Sequence, residues 1–73
     1  MINIQDIIPF MEKGWVAMDK CGAWYWHASK PEKFVKLWDS EYSVCLSDIF
    51  DLKPVKNWKK SVISIGEVEN DNK

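Results

Sequence analysis

Apolar positions at the start of the chain recur at helical spacing. Ile4, Ile7, Ile8 and Met11 fall at i, i+3, i+4 and i+7, so residues 3–12 predict a short amphipathic helix. Asn3 or the Gln5-Asp6 pair starts it. Pro9 divides it into two short turns, because proline is costly in a helix interior, and Gly14 ends it. The period then changes to two. WVAMD and AWYWHA flank KCG, which predicts a hairpin over residues 15–28 with Gly22 supplying the turn geometry. Trp15 and Ala17 share one face of the first strand, with Val16 and Met18 on the other. On the second strand Trp24, Trp26 and Ala28 share a face, with Ala23, Tyr25 and His27 opposite. Both faces carry bulk. One is the core; the other is either covered by the N-terminal helix and C-terminal segment or left open.

The rest of the chain punctuates itself. SKPEK, residues 29–33, is a turn, with Lys30 extended before Pro31. FVKLW, residues 34–38, predicts a third strand. DSE turns the chain, and YSVCL alternates as a fourth strand. Ser47 is placed to cap one helical turn in SDIFD. Pro54 opens a short helix through Lys60 with Trp58 packed inward. SVISI is rich in β-branched residues and predicts a last strand ending at Gly66. The polar stretch 67–73 reads as a disordered acidic tail. The expected fold is α+β, mainly antiparallel β: a short N-terminal helix packed on a small twisted sheet built around the 15–28 hairpin. Residues 1–66 form a single compact domain.

Composition sharpens this picture. A domain of 73 residues buries only about 60% of the surface its unfolded chain exposes. Five Trp, three Phe and two Tyr compensate, since each ring buries roughly 150–250 Å². The formal net charge is -1, which gives no general attraction to nucleic acid or an anionic membrane. Every cation is a lysine. Arginine, with its bidentate contacts to phosphate, guanine and carboxylate, is absent. Cys21 and Cys45 are too few for a disulfide framework. No basic-plus-apolar leader is visible, and no apolar run approaches the roughly 20 residues of a membrane span. The expectation is a cytoplasmic protein with reduced thiols, a single disulfide being the alternative.

The inventory for catalysis is thin: one histidine, two cysteines and no glycine-rich phosphate loop. Cys21 and His27 flank one strand, but five intervening residues separate them beyond hydrogen-bond reach. Cys21 reads as a turn residue and His27 as a partly exposed strand residue. Cys21, His27 and Cys45 lack the spacing of a metal site. No catalytic residue, metal or cofactor is expected. Lys53, Lys56, Lys59 and Lys60 surround Trp58, a combination that suits stacking of single-stranded bases, although a solvated lysine face is the simpler reading. Trp and Tyr are enriched at interface hot spots. Trp15, Trp24 and Trp26 are assigned to the core. Tyr25 and His27, on the opposite face, and Trp58, Lys56, Lys59 and Lys60 are the candidate binding residues.

The order of Trp15, Ala17 and Asp19, Gly22 with Trp24-Tyr25-Trp26, Lys30-Pro31, and Pro54, Trp58 and Ser61 resembles small phage- and prophage-encoded proteins of no established activity. Those share a WxAxD…GxWYW…KP…PxxxWxxS pattern. The resemblance spans about residues 14–63. It implies a phage-type accessory protein that acts in the cytoplasm of a bacterial host and binds a host or phage protein, including inhibition of a host defence factor. Two alternatives stand beside it: single-stranded nucleic-acid binding through the lysine and tryptophan surface, and self-assembly as a homo-oligomer.

Overall fold

The hairpin at the centre of the chain is the centre of the fold. The computed structural model describes residues 1–66; the expected acidic tail lies outside them. Strands β1 (Gly14–Met18) and β2 (Trp24–His27) pair antiparallel, with Val16 opposite Trp26 and Met18 opposite Trp24. The connection is a tight turn closed by Gly22 N–H donating to Asp19 O at 2.9 Å, and Gly22 takes φ 98°. Only glycine adopts that conformation without strain.

Two further strands flank the hairpin. β5 (Ser43–Cys45) pairs with β2, and β6 (Ile63–Ile65) with β1, giving a four-stranded antiparallel sheet in the order β5-β2-β1-β6. A separate two-stranded ribbon joins β3 (Glu32–Lys33) to β4 (Trp38–Asp39). The chain is α+β and mainly antiparallel β.

The core lies on one face of the sheet. Val16, Met18, Trp24 and Ile65 meet Ile4, Leu46 and Leu52 there, with Trp26, Phe50, Trp58 and Ile63 packed around them. The helix α1 (Ile4–Ile7) and the 3-10 turn Ile8–Phe10 cover this face, and Ile4, Ile7, Ile8 and Met11 all point into it. The stripe read from the sequence is therefore the packed stripe, and the helix gives way to the 3-10 turn between Ile7 and Ile8, one residue before Pro9. The N-terminal segment is stitched to the far end of the core by Ile2 N–H to Asp51 O and Lys53 N–H to Ile2 O, both 2.8 Å.

Several local expectations are corrected. FVKLW is not a strand: the chain reverses within it, and Phe34 N–H donates to Leu37 O at 2.7 Å. Four residues with helix-neutral spacing can be a turn once a neighbour fixes both ends, which local propensity does not reveal. Ser47 caps no helix. It lies inside the 3-10 turn Leu46–Asp48, and its hydroxyl accepts from Trp24 N–H at 2.9 Å. The turn after Pro54 is confined to Trp58–Lys60, where the Asn57 side chain accepts from Lys59 N–H. Gly14 is a buried strand residue with φ outside the left-handed region, not a helix terminator. Trp15 is half-buried on the face away from Trp24 and Trp26, outside their core.

Candidate interaction surface

The second face of the sheet carries Trp15, Ala17, Tyr25 and His27. Ala17 is fully buried and His27 is 1% exposed. The 28–42 segment explains this. Asp19 Oδ1 accepts from Trp38 N–H at 2.9 Å, His27 Nδ1 meets Ser40 Oγ at 2.8 Å, and Lys20 N–H donates to Lys36 O at 3.0 Å. The β3–β4 ribbon is thereby tied to this face. The expectation of a partly exposed His27 is corrected, because sequence gives the strand face but not the loop that folds over it.

The protonation of His27 follows from its neighbours. The Ser40 hydroxyl donates to Tyr42 O at 3.1 Å, so its oxygen accepts from His27 and the imidazole proton sits on Nδ1. Nε2 is then a bare lone pair, shielded from solvent without a hydrogen-bond partner. Burial lowers the His27 pKa below 6.5, against the pull of Asp19 and Asp39. Burial also raises Asp19 above 3.8, opposed by its hydrogen bond from Trp38. The unfolded chain therefore binds a proton at His27 before the folded one does. His27's stabilising contribution is complete above pH 6.5 and is lost as pH falls below it. Asp19 acts oppositely, losing stability as pH rises from 3.8 through its folded value. Thermal melting should fall from pH 7 to pH 5.5, and His27→Gln should flatten that slope. An unchanged slope in the variant would assign it to another group.

The remaining candidates are dispersed. Tyr25 is half-buried, lies beside His27 with ring centres 6.4 Å apart, and has its pKa raised first by a hydrogen bond with Cys45. Lys56, Lys59 and Lys60 are exposed, but Trp58 packs against the core, so its ring is not presented flat beside them. The Trp58 carbonyl accepts from Trp38 Nε1–H at 3.0 Å and from the Ser61 hydroxyl at 2.7 Å. Ser61 Oγ in turn accepts from Met18 N–H at 2.8 Å. Trp58 and Ser61 of the motif thus join the last 3-10 turn to the sheet.

Two apolar surfaces escaped the sequence reading. The first is the tip of the β3–β4 ribbon. Phe34, Val35 and Leu37 are 52%, 84% and 40% exposed, and none belongs to the core. Trp38 anchors the base of this finger and the Lys20–Lys36 bond holds its tip. Lys33 and Lys36 interleave with the apolar residues, and Lys20 is bonded beside them.

The second is a groove on the opposite face, lined by Phe10, Met11, Glu12, Trp26, Tyr42 and Val44. Trp26 and Tyr42 meet edge to face with centres 6.3 Å apart. Phe10 is 88% exposed. It falls outside the Ile4-Ile7-Ile8-Met11 stripe, the one sequence signal that marked it. The groove runs beside β5, an edge of the sheet. Ala28 N–H donates to Tyr42 O, so the antiparallel alternation turns the Ser43 and Cys45 N–H groups outward.

Cys21 is an exposed turn residue, Cys45 is half-buried, and their thiols are unpaired. No described helix is long and apolar enough to cross a membrane. No family model, curated protein or solved structure matches the chain.

Proposed function

We propose that this chain is a non-enzymatic, phage-type accessory domain that binds a host or phage protein, with the finger at residues 34–37 as its contact element. One observation carries the reading: Phe34, Val35 and Leu37 are held exposed on a hairpin that does not need them for its own packing. Exposed apolar area that the core leaves unused gains ~25 cal/mol per Å² when a partner covers it. The finger is fixed by main-chain and Trp38 hydrogen bonds, so docking orders little that is not already ordered. Contiguous apolar surface of this kind marks interaction sites. The resemblance to phage-encoded proteins supports the same reading and supplies the bacterial setting. Blocking a host defence factor is one purpose such binding serves, and the identity of the captured protein decides it.

The test is capture from a nuclease-treated bacterial lysate by tagged wild type and Val35→Asp in parallel. Val35 is almost fully exposed, so the substitution leaves the fold intact. A protein retained stoichiometrically by wild type should bind the variant at least ~10-fold more weakly, the equivalent of about 1.4 kcal/mol. Equal capture by both chains, or capture lost on nuclease treatment, would overturn the reading.

A further inference from the structure

The 28–42 segment leaves β2 after His27 and rejoins the sheet at Ser43, and those two residues face each other in the β2–β5 ladder. Its two ends are therefore held together, and Ala28 N–H donates to Tyr42 O just beyond them. The excursion between is lightly attached. No residue of it belongs to the core or to the side chains packed around the core, and only Pro31 is buried. Among the described residues four hydrogen bonds tie it to the body: Trp38 N–H to Asp19 Oδ1, Trp38 Nε1–H to Trp58 O, Lys20 N–H to Lys36 O, and His27 Nδ1–H to Ser40 Oγ.

His27 is the member of this set that a proton changes. It lies under the segment, 1% exposed. Its Nδ1–H is committed to Ser40, and Nε2 has no hydrogen-bond partner among the described residues. Protonation at Nε2 adds a charge and a donor with nothing to receive it. A buried charge and an unmade buried donor both cost free energy that contact with water removes. The charged and titratable groups around His27 are Asp19 next to the end of β1, Asp39 on β4, Tyr25 on β2 and Cys45 beside Tyr25 on β5. Asp19 and Asp39 attract an imidazolium, but burial outweighs them, and Asp19 Oδ1 already accepts from Trp38 N–H.

We infer that protonation of His27 lifts the 28–42 segment off the sheet as a hinged strap, with the β2–β5 ladder as its hinge. Lifting brings Nε2 to water and breaks the bonds of Trp38, Lys36 and Ser40 to the body. Val16, Met18, Trp24 and the rest of the core keep their contacts, because the strap supplies none of them. Asp19 acts in the opposite sense: burial raises its pKa, so acid favours its closed form, and opening on acidification is not its doing. The opening requires no partner, so it stands or falls separately from the binding role of the finger.

Amide hydrogen exchange on the wild-type chain, read residue by residue by NMR at pH 7.5 and pH 5.5, tests this. Protection is taken relative to the intrinsic exchange rate at each pH, so it reports the opening equilibrium. An imidazole with its ordinary pKa of about 6.5 in the open form, and a lower one when closed, raises that equilibrium by up to about tenfold between these pH values. Protection should therefore fall by about three- to tenfold at the Trp38 amide, the Trp38 indole and the Lys20 amide, whose acceptors lie across the opening. It should hold at the Met18 and Trp24 amides, which donate to Ser61 Oγ and Ser47 Oγ in the body. In His27→Gln, neutral at both pH values, the difference should vanish; the wild-type comparison stands by itself if that variant does not fold. An equal fall at Met18 and Trp24 would mean that the whole domain opens. No fall at Trp38 would mean that the strap stays closed over a charged His27, and a fall that persists in His27→Gln would assign the opening to another group. Each of these three results would overturn the inference.

Discussion

Trp24→Ala should remove a large share of this chain's folding stability and lower its melting point steeply. Trp24 is 1% exposed at the centre of the core, between Met18 across the ladder and Leu46 and Leu52 beyond. Its indole N–H donates to Lys53 O at 3.1 Å and its main-chain N–H to Ser47 Oγ at 2.9 Å. The residue thus joins the hairpin to two later segments, the ring through Lys53 and the main chain through Ser47, and the ring fills volume as well. Truncating a buried aromatic to alanine costs about 3–5 kcal/mol, through lost transfer energy and the cavity left behind. A domain of this length has about 4–11 kcal/mol in total at 0.05–0.15 kcal/mol per residue. One substitution therefore removes a large share of the whole. Amide dispersion in an NMR spectrum and the far-ultraviolet melting curve would report it. Trp24→Phe should be milder, because it keeps most of the ring area and loses only the bond to Lys53. A folded Trp24→Ala with a melting point near wild type would show that the N-terminal helix and the 46–58 segment can repack without the ring.

Gly14→Ala should also destabilise, and there the sign is the informative part. Gly→Ala at a position alanine can adopt ordinarily stabilises by ~0.4–1 kcal/mol, through the unfolded chain. At Gly14 the backbone has no positive φ to forbid alanine, so the ordinary expectation is a gain. The surroundings reverse it. A β-carbon here would lie 2.6 Å from His27 O and 2.9 Å from two ring atoms of Trp26. The first contact is with main chain in the β1–β2 ladder, where movement loosens the pairing. The second is with an indole whose N–H donates to Glu12 O at 3.2 Å, so the ring cannot withdraw without losing that bond. Overpacking of this kind costs typically ~1–3 kcal/mol. The urea midpoint should fall with an unchanged slope. A midpoint at or above the wild-type value would mean that the sheet yields freely at the start of β1, between β2 and β6.

These two residues also show what local pattern conveys. Alternation places Trp24 and Trp26 on one face of the hairpin, because a strand's faces follow from its period of two. Gly14 reads as a helix end, because a glycine after an amphipathic stretch ordinarily serves there. Its actual constraint, an indole lying across its backbone, involves Trp26 from another strand and has no local signature. The candidate surface divides in the same way. Trp58 sits among lysines in sequence, but its ring turns to the core and its carbonyl holds Trp38 and Ser61. Phe34, Val35 and Leu37 read as a strand until the Lys20–Lys36 and Trp38–Asp19 bonds bend them into an exposed tip.

By itself the sequence determined the elements whose cause is local: the helical stripe of Ile4, Ile7, Ile8 and Met11, its division into two short turns near Pro9, the hairpin turned at Gly22, and the two opposed faces of its strands. It also determined the class, α+β and mainly antiparallel β. Only the tertiary structure decided which hairpin face became the main core, that the 28–42 segment closes over His27, and that apolar residues are left outward at the finger and the groove. The reason is physical. Periodicity fixes which side chains share a face, whereas what covers that face depends on contacts between residues far apart in the chain, such as Asp19 with Trp38 and Met18 with Ser61.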